Sequence, residues 1–172
     1  MLVVQGVKLR EERDMIREFT FFVLSHFVSA SKIARSRINL LVRDTKELPE
    51  DEREEFDEAG AWMTYDGKTE SGLKKFTITI HRNMIKTFGT LKYRLKSFLR
   101  VLAHELVHVK QYLNHEMFDY TDGERVRFKG RLYAMPQSKK MDWQYYESPW
   151  EIEAYGRCDG LYDMWVIHKY GE

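Results

Sequence analysis

Apolar residues return at three- and four-residue steps from Leu91 onward, through Leu95, Phe98, Leu99, Leu102, Leu106 and Val109. That is the repeat of a helix with one buried stripe. Thr90, just after Gly89, is placed to cap its start and Asn114 to end it. A second stripe, Met15, Ile16, Phe19, Phe22, Val23 and Phe27, predicts an N-terminal helix over Glu11–Ala30, with His26 a core or boundary histidine. In Phe76-Thr77-Ile78-Thr79-Ile80 the period changes to two, which predicts a strand over Lys75–His81 with Phe76, Ile78 and Ile80 on the core face. Arg37–Val42 and Ala61–Tyr65 read as two further strands, the second turning at Asp66-Gly67. The acidic run Glu47–Glu58, opened by Pro49 and closed before Gly60, reads as a short surface helix or a loop. Arg125–Tyr133 has the pattern of a hairpin turning at Lys129-Gly130. Ser148 as N-cap and Pro149 at the first helical position open a last helix that runs to about His168.

This order predicts an α+β fold: a small, mostly antiparallel sheet packed on the central helix, with N-terminal and C-terminal helices beside it. A length of 172 residues and 43% hydrophobic content suit a single domain over residues 1–172. The formal charge of +1 supplies no overall field toward nucleic acid or anionic lipid. Cys158 is the only cysteine, which excludes an internal disulfide framework and fits a reducing compartment. Met1–Leu9 has no apolar run after a basic region, and no stretch reaches the roughly eighteen apolar residues of a membrane span. The expectation is a soluble, cytoplasmic protein.

The central helix carries His104-Glu105-Leu106-Val107-His108. Positions i and i+4 share a helix face, so both imidazoles reach one ion, while Glu105 points off that line and is left to handle a water. Two histidines alone would also suit a solvated helix face, but this pair lies in the apolar run Phe98–Tyr112. Catalytic zinc takes three protein ligands and leaves a position for water, so a third ligand is required. His115 lies seven residues past His108, about 10 Å along the axis if the helix continues. The metzincin spacing also fails, because Gln111 stands at its glycine and Asn114 at its third histidine. His115 reads as a helix-end histidine favoured by the helix dipole. Glu147, Glu151 and Glu153 are the remaining candidates.

A motif helix followed by Glu-x-x-Ala on a later helix resembles the gluzincin metallopeptidases, and Trp150-Glu151-Ile152-Glu153-Ala154 is similar to a segment of the ImmA/IrrE-like peptidases. Tyr155 stands where those families carry Asn or Asp. The resemblance implies a zincin-like domain holding one catalytic zinc ion, with Glu151 as third ligand beside His104 and His108. Helical geometry ranks the glutamates the same way. With Trp150, Ala154, Cys158, Leu161 and Trp165 as the buried stripe, Glu151 lies about 60° from its centre and Glu153 about 100°. The competing role for Glu151 is a capping box with Ser148.

The implied activity is zinc-dependent hydrolysis of peptide bonds, with Glu105 as general base. Tyr112, Tyr155 and His81 are candidates to steady the oxyanion. The Thr77-Thr79-His81 side of its strand is a candidate edge for an extended peptide or protein substrate. Two other readings compete. Lys92, Lys96 and Arg100 form a basic stripe that would suit a DNA-associated, SprT-like protease. A zinc site closed by a fourth side chain would instead make a non-catalytic binding protein.

Overall fold

The computed structural model describes residues 1–121, 123–135 and 143–171. Among these residues it is a mixed α/β architecture with six α-helices and two small sheets. Strand β1 (Leu2–Gln5) leads into α1 (Arg10–Phe27) and the short α2 (Ala30–Ala34), and the chain returns as β2 (Ser36–Arg43). Two 3₁₀ turns and α3 (Arg53–Ala59) follow, so the acidic run folds into short helical pieces. Gly60 ends α3 with φ 73°, a left-handed conformation that turns the chain directly into the next strand. That strand, β3 (Ala61–Lys68), forms a hairpin with β4 (Lys74–His81). Then come α4 (Leu91–Leu113), the three strands β5 (Met117–Asp119), β6 (Arg125–Phe128) and β7 (Arg131–Ala134), the one-turn α5 (Trp143–Tyr146) and α6 (Pro149–Tyr170).

The larger sheet has strand order β1-β2-β4-β3. Its β1–β2 and β2–β4 pairings are parallel and only β3–β4 is antiparallel, so the expectation of a mostly antiparallel sheet is corrected here. The cause is connectivity. α1 and α2 carry the chain from β1 to β2, and α3 and β3 intervene between β2 and β4; parallel neighbours need such long connections. β1 went unread because four residues at a terminus carry little pattern. Asp66-Gly67 is also a bulge rather than the turn: β3 continues to Lys68 through a register shift, and the chain reverses at Thr69–Gly72. The second sheet, β5-β6-β7, is fully antiparallel. Its predicted turn at Lys129-Gly130 has φ 46° and 83°, the positive pair that a two-residue hairpin uses.

Ile38, Leu40 and Val42 of β2 and Phe76, Ile78 and Ile80 of β4 are buried and belong to one apolar cluster with α1, α4 and α6. Phe19 and Phe22 of α1 meet the ring of Trp165 on α6. Every residue of α4 from Leu102 to Leu113 is buried, because α1, α6, the larger sheet and β5 pack around it. A solvated face for His104 and His108 is thereby excluded. His26, by contrast, is exposed and touches the rings of Phe22 and Phe27. No helix among the described residues is long and apolar enough to cross a membrane.

Candidate metal centre

Both histidines hang from the buried half of α4, and the third group arrives from α6. Glu151 lies in the first turn of that helix, which Trp150 anchors by ring contacts with Phe128 of β6 and Tyr133 of β7. The Nε2 atoms of His104 and His108 are 3.1 Å apart. Glu151 places Oε2 3.2 Å from His104 Nε2 and Oε1 3.4 Å from His108 Nε2. One donor atom from each residue lies within 4.8 Å of the others, and all three residues are buried. This His-His-Glu group could hold a metal ion.

The donor set fits an ion on structural grounds as well. Glu151 Oε2 is buried and faces the His104 Nε2 at 3.2 Å without a hydrogen bond of good geometry, an orphaned acceptor beside an imidazole nitrogen. A buried carboxylate in that state costs free energy that coordination would recover. In the metal-free protein, burial pushes the Glu151 pKa up, but the two imidazoles beside it outweigh burial and hold the carboxyl at about 2. Burial lowers the pKa of His108, and the bond to Glu151 with the charges of Glu151 and Glu105 more than reverses that, to about 9. Without an ion the carboxylate and the imidazoles pair with one another, and a metal would take the place of the protons between them.

Glu151 does not form the capping box. The Ser148 hydroxyl donates to the carbonyl of Gln144, and no side chain caps the start of α6. Glu153, two residues on, faces elsewhere: Lys110 at 2.8 Å, Lys129 at 3.2 Å, Arg157 at 3.2 Å and the Gln111 amide at 3.3 Å all reach it. Glu147 is exposed and lies outside the triad. His115 adopts φ 59° just past the end of α4. The bonds Glu116 N–H to Gln111 C=O, 2.8 Å, and His115 N–H to Tyr112 C=O, 3.2 Å, close a Schellman motif there. His115 is thus a helix-end residue, and Lys74 above all, then burial, Lys32 and Lys68, lowers its pKa.

Comparison with protein-family models, with curated proteins and with solved structures finds no match to this chain. Its site is described by its own geometry.

Glu105 is buried beside the triad and lines both lobes of a cleft, of about 380 and about 450 Å³. Burial raises its pKa, against the lowering influence of the two histidines. The first lobe runs past His104, Tyr155 and Val101; the second passes His108, Glu151, Met63 and Tyr112. Ala61 of β3 borders both lobes, and β3 is the edge strand of its sheet. The Thr77-Thr79-His81 strand is not an edge, since β4 is flanked by β2 and β3. His81 stacks on Phe56 and pairs with Thr45 at 2.9 Å, so it serves packing rather than the triad. Tyr112 donates its hydroxyl to Asp119 and stacks on Tyr65. Tyr155 does lie at the centre, its ring centroid 4.3 Å from that of His104.

One site residue escaped the sequence reading. Tyr145, on α5, lines both lobes and hydrogen-bonds Glu151, and its burial raises its hydroxyl pKa far above the usual range. A one-turn helix leaves no periodic signal, and ten tyrosines offer no way to single one out. The basic stripe of α4 turns toward α6: Arg100 pairs with Asp159 at 2.6 Å and Lys92 lies over the ring of Tyr170.

Proposed function

We propose that this protein is a zinc-dependent metallopeptidase with a zincin-like domain. The observation that carries the proposal is the position of Glu105, a buried carboxylate next to a His-His-Glu triad and open to both halves of a cleft along an edge strand. Zinc held by His104, His108 and Glu151 would supply a Lewis acid that acidifies a water and polarises the scissile carbonyl. Among the described residues the metal-capable group contains three donors and no fourth, which supports an open position over a closed structural site.

Glu105 then acts as general base. Its pKa, raised by burial, moves toward the range where a carboxylate both accepts and returns a proton near neutrality. It takes a proton from the attacking water as the new C–O bond forms, and delivers it to the amide nitrogen as the C–N bond breaks. The position of β3 at the edge of its sheet suits an extended peptide added as a further strand. Tyr145, already bonded to the ligand carboxylate, and Tyr155, against His104, are the groups best placed to donate to the carbonyl oxygen.

The test is Glu105→Gln. The variant is expected to bind zinc as the wild type does while its turnover of a denatured-protein or peptide-library substrate falls roughly 10²–10⁴-fold. A zinc-loaded Glu105→Gln protein of full activity would overturn the mechanism.

A further inference from the structure

The two histidines of the triad differ in how their outer nitrogens are held. Nδ1 of His104 is buried with no hydrogen-bond partner. Nδ1 of His108 lies 3.0 Å from Oε1 of Gln111, whose side chain belongs to a fully buried residue. The Gln111 amide nitrogen donates to the Trp150 carbonyl at 3.0 Å and to Glu153 Oε2 at 3.3 Å. Both partners are acceptors, so the NH₂ end of the amide must face them and the oxygen must face His108. An acceptor there requires hydrogen on Nδ1, in either protonation state of the ring. Nε2 is then the nitrogen left to carry a lone pair toward the centre of the triad.

We infer that Gln111 is a positioning residue of the metal centre: it holds His108 with Nδ1–H outward and Nε2 inward, and it ties that imidazole to the α6 backbone next to Glu151. One amide spans the two helices that supply all three ligands. Sliding α6 along α4 breaks its bonds to Trp150 and Glu153 while the bond to His108 stays behind. Gln111 acts through His108, Trp150 and Glu153, and it lines neither lobe of the cleft. The inference rests on reading the triad as a metal site. Partners of this kind fix the orientation of a ligating histidine and raise its basicity.

Gln111→Met keeps the length and loses both ends of the bridge. The exchange variant Gln111→Glu with Glu153→Gln restores an acceptor toward His108 and, through the new amide at 153, a donor toward residue 111, while the Trp150 carbonyl loses its donor. Zinc affinity is measured by competition with a chromophoric chelator. In the metal-free protein, NMR follows the Nδ1 proton of His108, expected to exchange slowly in the wild type. Gln111→Met should weaken zinc about 10–100-fold and bring that proton into fast exchange. The exchange variant should recover the slow proton and part of the zinc affinity. Unchanged zinc affinity with an unchanged proton signal in Gln111→Met overturns the inference. If Gln111→Met does not fold, the exchange variant decides, and a folded exchange protein without the slow proton overturns it equally. A wild type that fails to bind zinc would instead overturn the metal-site reading, while the proton measurement still reports on Gln111.

Discussion

Glu151 and Glu153 stand two residues apart on the same helix, and each has its carboxyl held at about 2, yet they sit in unlike company. In both cases burial alone would push the value up. Glu151 is opposed by two imidazoles, groups able to give up their protons and serve as ligands. Glu153 is opposed by Lys110, Lys129 and Arg157 and by the Gln111 amide, donors that offer nothing to a metal. A depressed carboxylate therefore does not by itself mark a metal ligand; the chemistry of what depresses it does. The first glutamate completes a centre that a cation can enter, and the second locks α6 onto the end of α4 and the β6–β7 turn.

The sharpest separation should come from metal affinity. Glu151→Gln is expected to lose zinc by more than about 100-fold, beyond what the loss of a supporting partner costs. Glu153→Gln should stay within that supporting range, and chelator competition on both proteins measures the gap. Equal losses would erase the distinction. In stability the order should reverse once metal is stripped. Glu153→Met leaves the buried Lys110 ammonium with Glu116 alone, and should cost about 1–3 kcal/mol in urea unfolding.

The pH dependence divides them again. Both carboxyls have lowered values, so each contributes stability that is present above about 4.5 and lost as pH falls toward about 2. His108 is raised, so its share is complete below its ordinary 6.5 and is lost as pH rises through about 9. In the metal-free protein the penalty of Glu151→Gln should therefore shrink between pH 6.5 and 9, while that of Glu153→Gln, whose partners include no histidine, stays flat. Thermal melting across that window tests it. The smallest effect belongs to Arg157, half-exposed and one turn from Glu153: Arg157→Ala should change stability by about 0.3–0.5 kcal/mol and leave zinc binding alone.

How much of this was legible depends on how local the signal was. α4 and α6 could be read because their stripes extend over many turns, and β4 because its alternation is strict. β1 and the parallel pairings could not, since a four-residue strand has little pattern and its partner lies more than thirty residues away. His104 and His108 were legible from their spacing together with the apolar run Phe98–Tyr112 around them. Glu151 needed the angle it makes with the α6 stripe, and its rival role as a cap was removed only by seeing Ser148 bonded to Gln144. Gln111 was visible one turn past His108 but was read as a missing glycine, because its partners at Trp150 and Glu153 are distant in sequence. Tyr145 depends on tertiary packing that no local pattern reports.

Between the end of α4 at Asn114 and the start of α6 at Ser148, the chain makes a long excursion that includes the second sheet and returns to within reach of His104 and His108. An ion in the triad would act as a removable cross-link across the base of that loop. Because the three donors come together only in the folded chain, the ion would stabilise that closure by binding it, in a protein whose lone cysteine forbids a covalent bridge. Loading the centre and closing the excursion then become a single event.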